Sequence, residues 1–376
     1  MRIAIYNPLT GTGGAERIGI ITRAEAEYTE HINTAGNFRI SMPLAAPHAD
    51  KLCKNRIICF DDGFCGIIES ISLSQNRPQS RIEAEGKCLK GLLERRVTVP
   101  PAQENIENTL GYDAVKGSSE TCIKHYWNVN CVNPSVDVRK IPGFEIAKDQ
   151  GRGVTEDKYL SRFETVSDVT QKIAQDTELA VIAAFDSSGG KYMFDVYAGE
   201  NRTADQNENP RIIFEIERKS IISMSYSDSD ENLKNVFYVT KSGAEFEDEA
   251  LTMTYYRDDA EVSGFFRREV HLNLSADTPV AGEEYQELKR VAQIEMTNYE
   301  SAESITAEVN QKYQYKRDYQ IGDYVTIRNR EWNITRNMQI TAVQKSMSAG
   351  KTNYTLTFGT PPAKVLDKIK RDIKNK

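Results

Sequence analysis

At 376 residues, with 39% hydrophobic and 27% charged side chains, the sequence has the make-up of an ordinary globular chain long enough for two or three domains. A formal net charge of −7 argues against generalised nucleic-acid binding, which needs a cationic surface to displace phosphate counterions. No stretch approaches the ~20 consecutive apolar residues of a membrane helix, so no membrane-spanning segment is expected.

The opening Met1-Arg2-Ile3-Ala4-Ile5-Tyr6-Asn7 alternates like a strand. It carries no apolar run before a small-residue cleavage site, so it reads as no signal peptide. A chain made and kept in a cytoplasm-like environment until assembly is the expectation. Segments at 17–24, 26–30, 37–42, 56–60, 65–72 and 81–85 continue the strand pattern. Turn formers such as Ala35-Gly36-Asn37 and Asp61-Asp62-Gly63 separate them. A short helix is predicted over 87–96, opened by Gly86, with Leu89, Leu92 and Leu93 on one face. Arg95 and Arg96 suit its C-terminal dipole, and it is expected to close a first barrel. Residues 107–128 read as mixed loop and helix, with Cys122, Ile123 and Tyr126 at helical spacing. Thr165, Ser167 and Asp168 are N-cap candidates for a helix carrying Val169, Ile173 and Ala174. A hairpin follows, 179–185 and 191–197 around Asp186-Ser187-Ser188-Gly189-Gly190, and then a polar loop or boundary at 200–210. Strands are predicted at 211–216, 221–226, 235–241 and 250–256. A helix from Glu283 to about Tyr299 bears the stripe Leu288, Ala292, Met296 and Tyr299. Strands at 324–328, 338–346 and 353–359 close the pattern. Pro361 and Pro362 then start a terminal helix with Val365, Ile369 and Ile373 on its apolar face.

Constellations that could carry chemistry fall short of their requirements. Gly11-Thr12-Gly13-Gly14 follows a strand, but Glu16 stands where a dinucleotide fingerprint needs its third glycine, and no helix follows to hold phosphate. Asp228-Ser229-Asp230-Glu231-Asn232 begins like a calcium loop, yet Leu233 replaces its glycine and Val239 its bidentate glutamate. Glu245-Phe246-Glu247-Asp248-Glu249 is a second acidic turn. Cys122-x-x-His125 with Cys131 offers three soft ligands where structural zinc wants four in close pairs, so a buried helix face is the plainer reading. The six cysteines, Cys53, Cys59, Cys65, Cys88, Cys122 and Cys131, are expected to be reduced and mostly buried. His31, His48, His125 and His271 accompany no nucleophile elbow or zincin helix, and nothing selects a carboxylate pair. No catalytic, cofactor-binding or metal residue is therefore assigned, and no cofactor is expected.

The segment from Tyr319 to Gly359 carries a resemblance. Tyr319-Gln320-Ile321-Gly322-Asp323-Tyr324-Val325-Thr326-Ile327 resembles the "(Y/L)xxGDxVxI" strand of siphovirus tail-hub proteins, also called tail-associated or minor structural proteins. Gln339-Ile340-Thr341-Ala342-Val343 and Tyr354-Thr355-Leu356-Thr357-Phe358-Gly359 follow, similar to that family's paired strands ending in "xLxFG". Gly66-Ile67-Ile68-Glu69-Ser70-Ile71 resembles its early "GxIexi" strand, and Leu92-Leu93-Glu94-Arg95-Arg96 its "LLxxR" helix.

The resemblance implies an α+β, mainly β fold: two small β-barrel domains joined by an α/β middle domain. The corresponding division is an N-terminal barrel at 1–97, an α/β region at 98–209, and a second barrel at 210–360 with a helical insertion around 283–299. An amphipathic helix at 361–376 completes it. The implied function is a non-enzymatic hub at the baseplate or tail tip of a phage or phage-tail-like particle, assembled in the bacterial cytoplasm. There a homotrimeric ring would join tail-tube or distal-tail proteins to tip or fibre proteins. Some larger relatives carry a C-terminal hydrolase, for which the stretch after Gly359 leaves no room. The alternatives are a tail-associated peptidoglycan hydrolase and a carbohydrate-binding β-module displaying Tyr255-Tyr256 and Phe265-Phe266.

Overall fold

The computed structural model describes residues 2–9, 14–76, 79–100, 111–154, 157–242, 252–257, 261–274, 282 and 284–360. It divides into two compact units. The first holds the described residues within Met1–Pro100, Ala114–Ser225 and Thr306–Phe358, and the second those within Pro101–Asp113, Tyr226–Ile305 and Gly359–Lys376. The terminal helix at 361–376, the acidic turn at 245–249 and Gly11–Gly13 lie outside the described residues.

The first unit opens with seven strands: β1 (Ile3–Tyr6), β2 (Arg17–Ile21), β3 (Glu25–His31), β4 (Asn37–Pro43), β5 (Ile57–Phe60), β6 (Cys65–Asn76) and β7 (Gln79–Cys88). Their period-two pattern is used as expected. Phe38, Ile40 and Met42 of β4 face the same core as Tyr28 of β3, Ile82 and Ala84 of β7, and Ile3 and Ile5 of β1. Each such large side chain, once buried, stabilises by about 1.5–3 kcal/mol. Gly86 does not open a helix. It lies inside β7, where a Cβ would sit 1.9 Å from the Ile67 carbonyl oxygen on β6, so only glycine lets these backbones approach. The chain after it forms a 3₁₀ helix, Leu89–Arg95. Leu89, Leu92 and Leu93 pack into the core of the following helical region, so this element does not close a barrel.

That region comprises β8 (Asp113–Gly117), α1 (Ser119–Trp127), β9 (Phe144–Ile146), β10 (Asp157–Ser161), α2 (Val166–Asp176), β11 (Leu179–Asp186) and β12 (Lys191–Ala198). Ser118 caps α1 by accepting from the Thr121 amide, and Thr165 caps α2 by accepting from the Asp168 amide. A five-residue π-helical turn, Asn128–Val132, extends α1. β11 and β12 form the expected hairpin, with β9 added in parallel to β12. Trp127 anchors the helices, its indole N–H donating to Thr170 Oγ1 at 2.9 Å, and Phe144 stacks on Phe194 at 4.1 Å between centroids.

The chain then forms β13 (Ile213–Glu215) and β14 (Ile221–Ser229), the latter leading into the second unit. The second unit contains a three-stranded sheet of β15 (Val236–Lys241), β16 (Thr252–Tyr256) and β17 (Glu269–Leu274), with β15 in the middle, antiparallel to β16 and parallel to β17. Helix α3 (Glu284–Met296) covers one face. Leu288, Ala292 and Tyr299 of its predicted stripe are buried against Phe237, Val239 and Leu272, with Met296 packed at the edge. The Arg257 guanidinium ties strand to helix by donating to the carbonyls of Lys234, Met296 and Tyr299.

Strand β18 (Ala302–Val309) returns the chain to the first unit, followed by β19 (Tyr324–Asn329), β20 (Ile334–Ser348) and β21 (Lys351–Gly359). β20, fifteen residues long, is the seam of the molecule. It pairs with β19 (Tyr324↔Gln339) and with β21 (Ile340↔Phe358). It also pairs with β3, from Ala342↔His31 to Met347↔Ala26. The result is one 13-stranded sheet in the order β14-β18-β21-β20-β3-β4-β7-β6-β5-β1-β2, with β13 paired to β19. This revises the expectation of two small barrels: the N- and C-terminal strands share an open sheet, because β3 offers β20 an edge that a closed barrel would have satisfied internally. The fold is mainly β, with few helices.

Candidate functional site

The residues singled out for chemistry are not brought together. Cys122 and Cys131 are fully buried in the core around Trp127. Burial pushes the Cys131 thiol up to about 12 against the pull of Arg96 and Arg139, the opposite of what a thiolate ligand needs. His125 instead sets its ring edge-on to Tyr126 at 5.4 Å. Among the described residues no group of three or more His, Cys, Asp or Glu side chains is placed to hold a metal ion. The Asp228–Asn232 turn ends β14, and Asp230 pairs with Arg268 at 3.6 Å. His48 lies in a left-handed turn beside Gly19, and His271 Nε2 bonds Thr240 Oγ1 at 2.9 Å. Tyr255 packs into the core of the second unit, unavailable as a sugar platform, whereas Phe265 and Phe266 are exposed.

What the fold does assemble is a set of polar knots around the Tyr319–Gly359 strands. The first is Asp323, fully buried. One carboxylate oxygen accepts from the Tyr197 hydroxyl at 2.6 Å and the Glu200 amide at 3.0 Å. The other accepts from Arg202 Nε at 3.0 Å and the Gln320 amide at 3.0 Å. Gly322 beside it holds φ +95°, and Gly199 packs so closely that a Cβ would fall 1.7 Å from the Gly322 carbonyl oxygen. The Gly322-Asp323 pair therefore does more than turn the chain into β19: it buckles the 197–203 segment onto that strand. The polar stretch at 200–210 is correspondingly ordered. The Ala204 amide donates to Thr326 Oγ1 at 2.8 Å, and Gln206 braces the Thr203 and Asn209 carbonyls. Burial, then the bond to Asp323, pushes Tyr197 up to about 12.

Two further knots fasten the β3–β20 seam. Asp62, in the β5–β6 turn, accepts from the Tyr28 hydroxyl at 2.5 Å and from Lys345 Nζ at 2.7 Å, and Lys345 also lies over the Tyr354 ring. Burial alone raises the Asp62 pKa, but the Lys345 hydrogen bond and charge outweigh it and hold the group below its ordinary value. Tyr28 stacks on Phe64 of the same turn at 3.9 Å. On β3, buried Glu30 accepts from Tyr315 at 2.9 Å and pairs with Lys316 at 3.3 Å. Its burial is likewise overcome, by the charges of Lys316 and Lys90. Lys90 is itself buried, donating to the backbone carbonyls of His31, Ile32 and Val181. Each carboxylate in these knots is matched to a cation and to hydroxyl or amide donors. Such an arrangement immobilises strands.

Sequence reasoning placed Asp323 at a turn but missed its side-chain partners, Tyr197 and Arg202, which lie more than a hundred residues upstream. It missed Lys90 and Glu30 altogether. A lone lysine in the apolar run Leu89–Leu93 was the only available signal.

The profile of the family described as Siphovirus ReqiPepy6 Gp37-like protein matches residues 3–360. The chain belongs to that family. It is a family of phage tail proteins, and the match takes in both the early strands and the Gly322-Asp323 buckle. Solved tail proteins share the fold over nearly their whole lengths. A tail protein from Neisseria meningitidis MC58 is 14% identical at a TM-score of 0.53, covering 95% of this chain and 96% of its own. The 43 kDa tail protein of prophage MuSo2 from Shewanella oneidensis is 9% identical at 0.56, covering 96% and 98%. Prophage tail protein gp18 from Listeria monocytogenes EGD-e is 13% identical at 0.50, covering 100% and 99%. No curated protein matches the chain by sequence. Among the described residues no helix is long and apolar enough to cross a membrane.

Proposed function

We propose that the chain is a non-enzymatic hub protein of a phage or phage-tail-like particle, forming a ring that joins the tail tube to the tip. The observation that carries this reading is the family match over residues 3–360. The structure supports it through what it holds: buried ion pairs lock the β3–β20 seam of a very large sheet. Rigidity of that kind suits a part that bears load rather than one that turns over substrate.

In this reading the N- and C-terminal parts of the open sheet are two ring-building modules per protomer. Three protomers then present six modules, matching a sixfold tube on one side and a threefold tip on the other. The partners are further copies of the chain, tail-tube or distal-tail proteins, and tip or fibre proteins. The site of action is the virion tail, after assembly in the bacterial cytoplasm. Sedimentation equilibrium of the full chain tests the ring: a trimeric mass supports it, and a monomer at every concentration opposes it. A peptidoglycan zymogram tests the absence of catalysis, and clearing that disappears on substitution of one carboxylate would overturn it.

A further inference from the structure

The expectation of six reduced cysteines meets one exception. Cys59 on β5 and Cys65 on β6 are directly opposed across an antiparallel pair, their Cα atoms 4.2 Å apart, and they are joined as a disulfide. Cys53, Cys88, Cys122 and Cys131 are free thiols. The bridged pair closes the short turn Phe60-Asp61-Asp62-Gly63-Phe64. That turn supplies one whole side of the seam clamp: Asp62 for Tyr28 and Lys345, Asp61 for the Arg2 amide, and Phe64 for the stack on Tyr28. The two phenylalanines of the turn belong to the core under β3 and β4, while Cys65 lines the other core with Cys59 at its margin.

We propose that Cys59 and Cys65 are a redox-operated latch on the Tyr28–Asp62–Lys345 clamp, open as dithiol in a reducing compartment and closed as disulfide in an oxidising one. The chemistry needs only a low-molecular-weight disulfide as oxidant. The thiolate of Cys59, the more exposed of the two, attacks that disulfide, forming a mixed disulfide and releasing one thiol. The Cys65 thiolate then attacks the Cys59 sulfur, forming the internal bond and releasing the second thiol. Two protons and two electrons leave the protein, and the oxidant becomes two thiols. No strand has to move, because the register already opposes the pair. The bond removes turn conformations in which Asp62 swings away from Lys345, so the clamp and the β3–β20 pairing behind it tighten.

The proposal rests on the tail reading for one point only, that the chain passes from cytoplasm to exterior. The full-length chain, purified in reducing buffer, is treated with oxidised glutathione and mapped by alkylation and peptide mass. The expected result is protection confined to Cys59 and Cys65, now linked. With it come a rise in Tm of roughly 3–8 °C and about tenfold slower amide exchange in residues 57–67 and 342–347. Thiol reductant should reverse all three. The C59V/C65V chain, apolar at both positions, should fold and lose the redox response. Failure of the 59–65 link to form overturns the proposal, as does a link that forms while Tm and exchange stay unchanged. In purified particles, a linked pair beside a reduced cytoplasmic pool supports the compartment switch, and a dithiol in released particles overturns it. Particles lacking the chain would overturn the tail reading and leave the latch to be judged on the isolated protein.

Discussion

Replacing Asp323 with asparagine keeps the volume and removes the charge, which makes it the sharpest probe of the buckle. Four donors converge on the native carboxylate: the Tyr197 hydroxyl, Arg202 Nε, and the amides of Glu200 and Gln320. Asparagine has one oxygen. If its amide NH₂ faces Arg202 and Gln320, two N–H donors are stranded and the half-buried guanidinium loses one of its two carboxylates, keeping Glu200 at 2.6 Å. If it faces the other way, Tyr197 can turn and accept, and the Glu200 amide is left with only the Tyr197 hydroxyl oxygen, at 3.3 Å. Leaving a buried donor unsatisfied costs about 1–3 kcal/mol, and the surviving Glu200 partner keeps the charge loss well below the ~3–5 kcal/mol of a fully broken buried pair. The expected loss for D323N is therefore about 2–4 kcal/mol. Urea unfolding followed by circular dichroism reads this as a lower midpoint at unchanged slope. D318N, which removes a surface pair with Arg317, should cost under about 1 kcal/mol. A D323N loss no larger than that of D318N would refute the claim that the Gly322-Asp323 motif works as a buried buckle.

The Gly199→Ala change should be at least as damaging as D323N, because its Cβ would lie 1.7 Å from a backbone carbonyl oxygen that cannot yield; thermal unfolding of G199A and wild type compares them. Asp62 is held below its ordinary value of 3.8 in the folded chain, so the unfolded chain takes up its proton first as the solution is acidified. Stability contributed by that group is full above 3.8 and drains away as pH falls through the lower folded value; D62N should be less stable at neutral pH and show a flatter dependence of urea midpoint on pH below 3.8. Phe265 is 91% exposed and Phe266 74%, so the F265S/F266S double variant should leave Tm within about 1 °C of wild type, and a larger drop would mean the pair packs within the fold.

How far the sequence could be read follows from the range of the forces involved. Period-two burial is local, and the strands at 3–6, 37–43, 179–186, 191–198, 324–329 and 351–359, with the 338–346 part of β20, were legible in their own residues. So was the stripe on α3, and so was the Thr165 cap. β17 and β18 were not called, although Val270, Leu272 and Leu274 do alternate. β18 buries mostly small residues, Ala302, Ser304 and Ala307, which leave little hydrophobic contrast to read. Gly86 looked like a helix start because close approach of a neighbouring strand leaves no local trace. The joining of N- and C-terminal strands across β3–β20 depends on pairs nearly 300 residues apart, such as Tyr315 with Glu30. Apolar patterning marks which residues are buried, not which distant strand will share their sheet. The same limit hid the knots at the candidate site: Asp323, Glu30, Lys90 and Lys345 are charges whose partners are set only by topology. It also hid the disulfide, since Cys59 and Cys65 are a pair only once β5 and β6 are known to be a hairpin.

The central claim is that this chain builds the ring between tail tube and tip. Cryo-electron microscopy of purified particles, with the chain located by an internal tag in an exposed loop, tests it most directly. Three copies arranged as a closed ring at the tip-proximal end of the tube are expected. Particles with no density for the chain at that position, or with the chain present as a single appended copy, would contradict it.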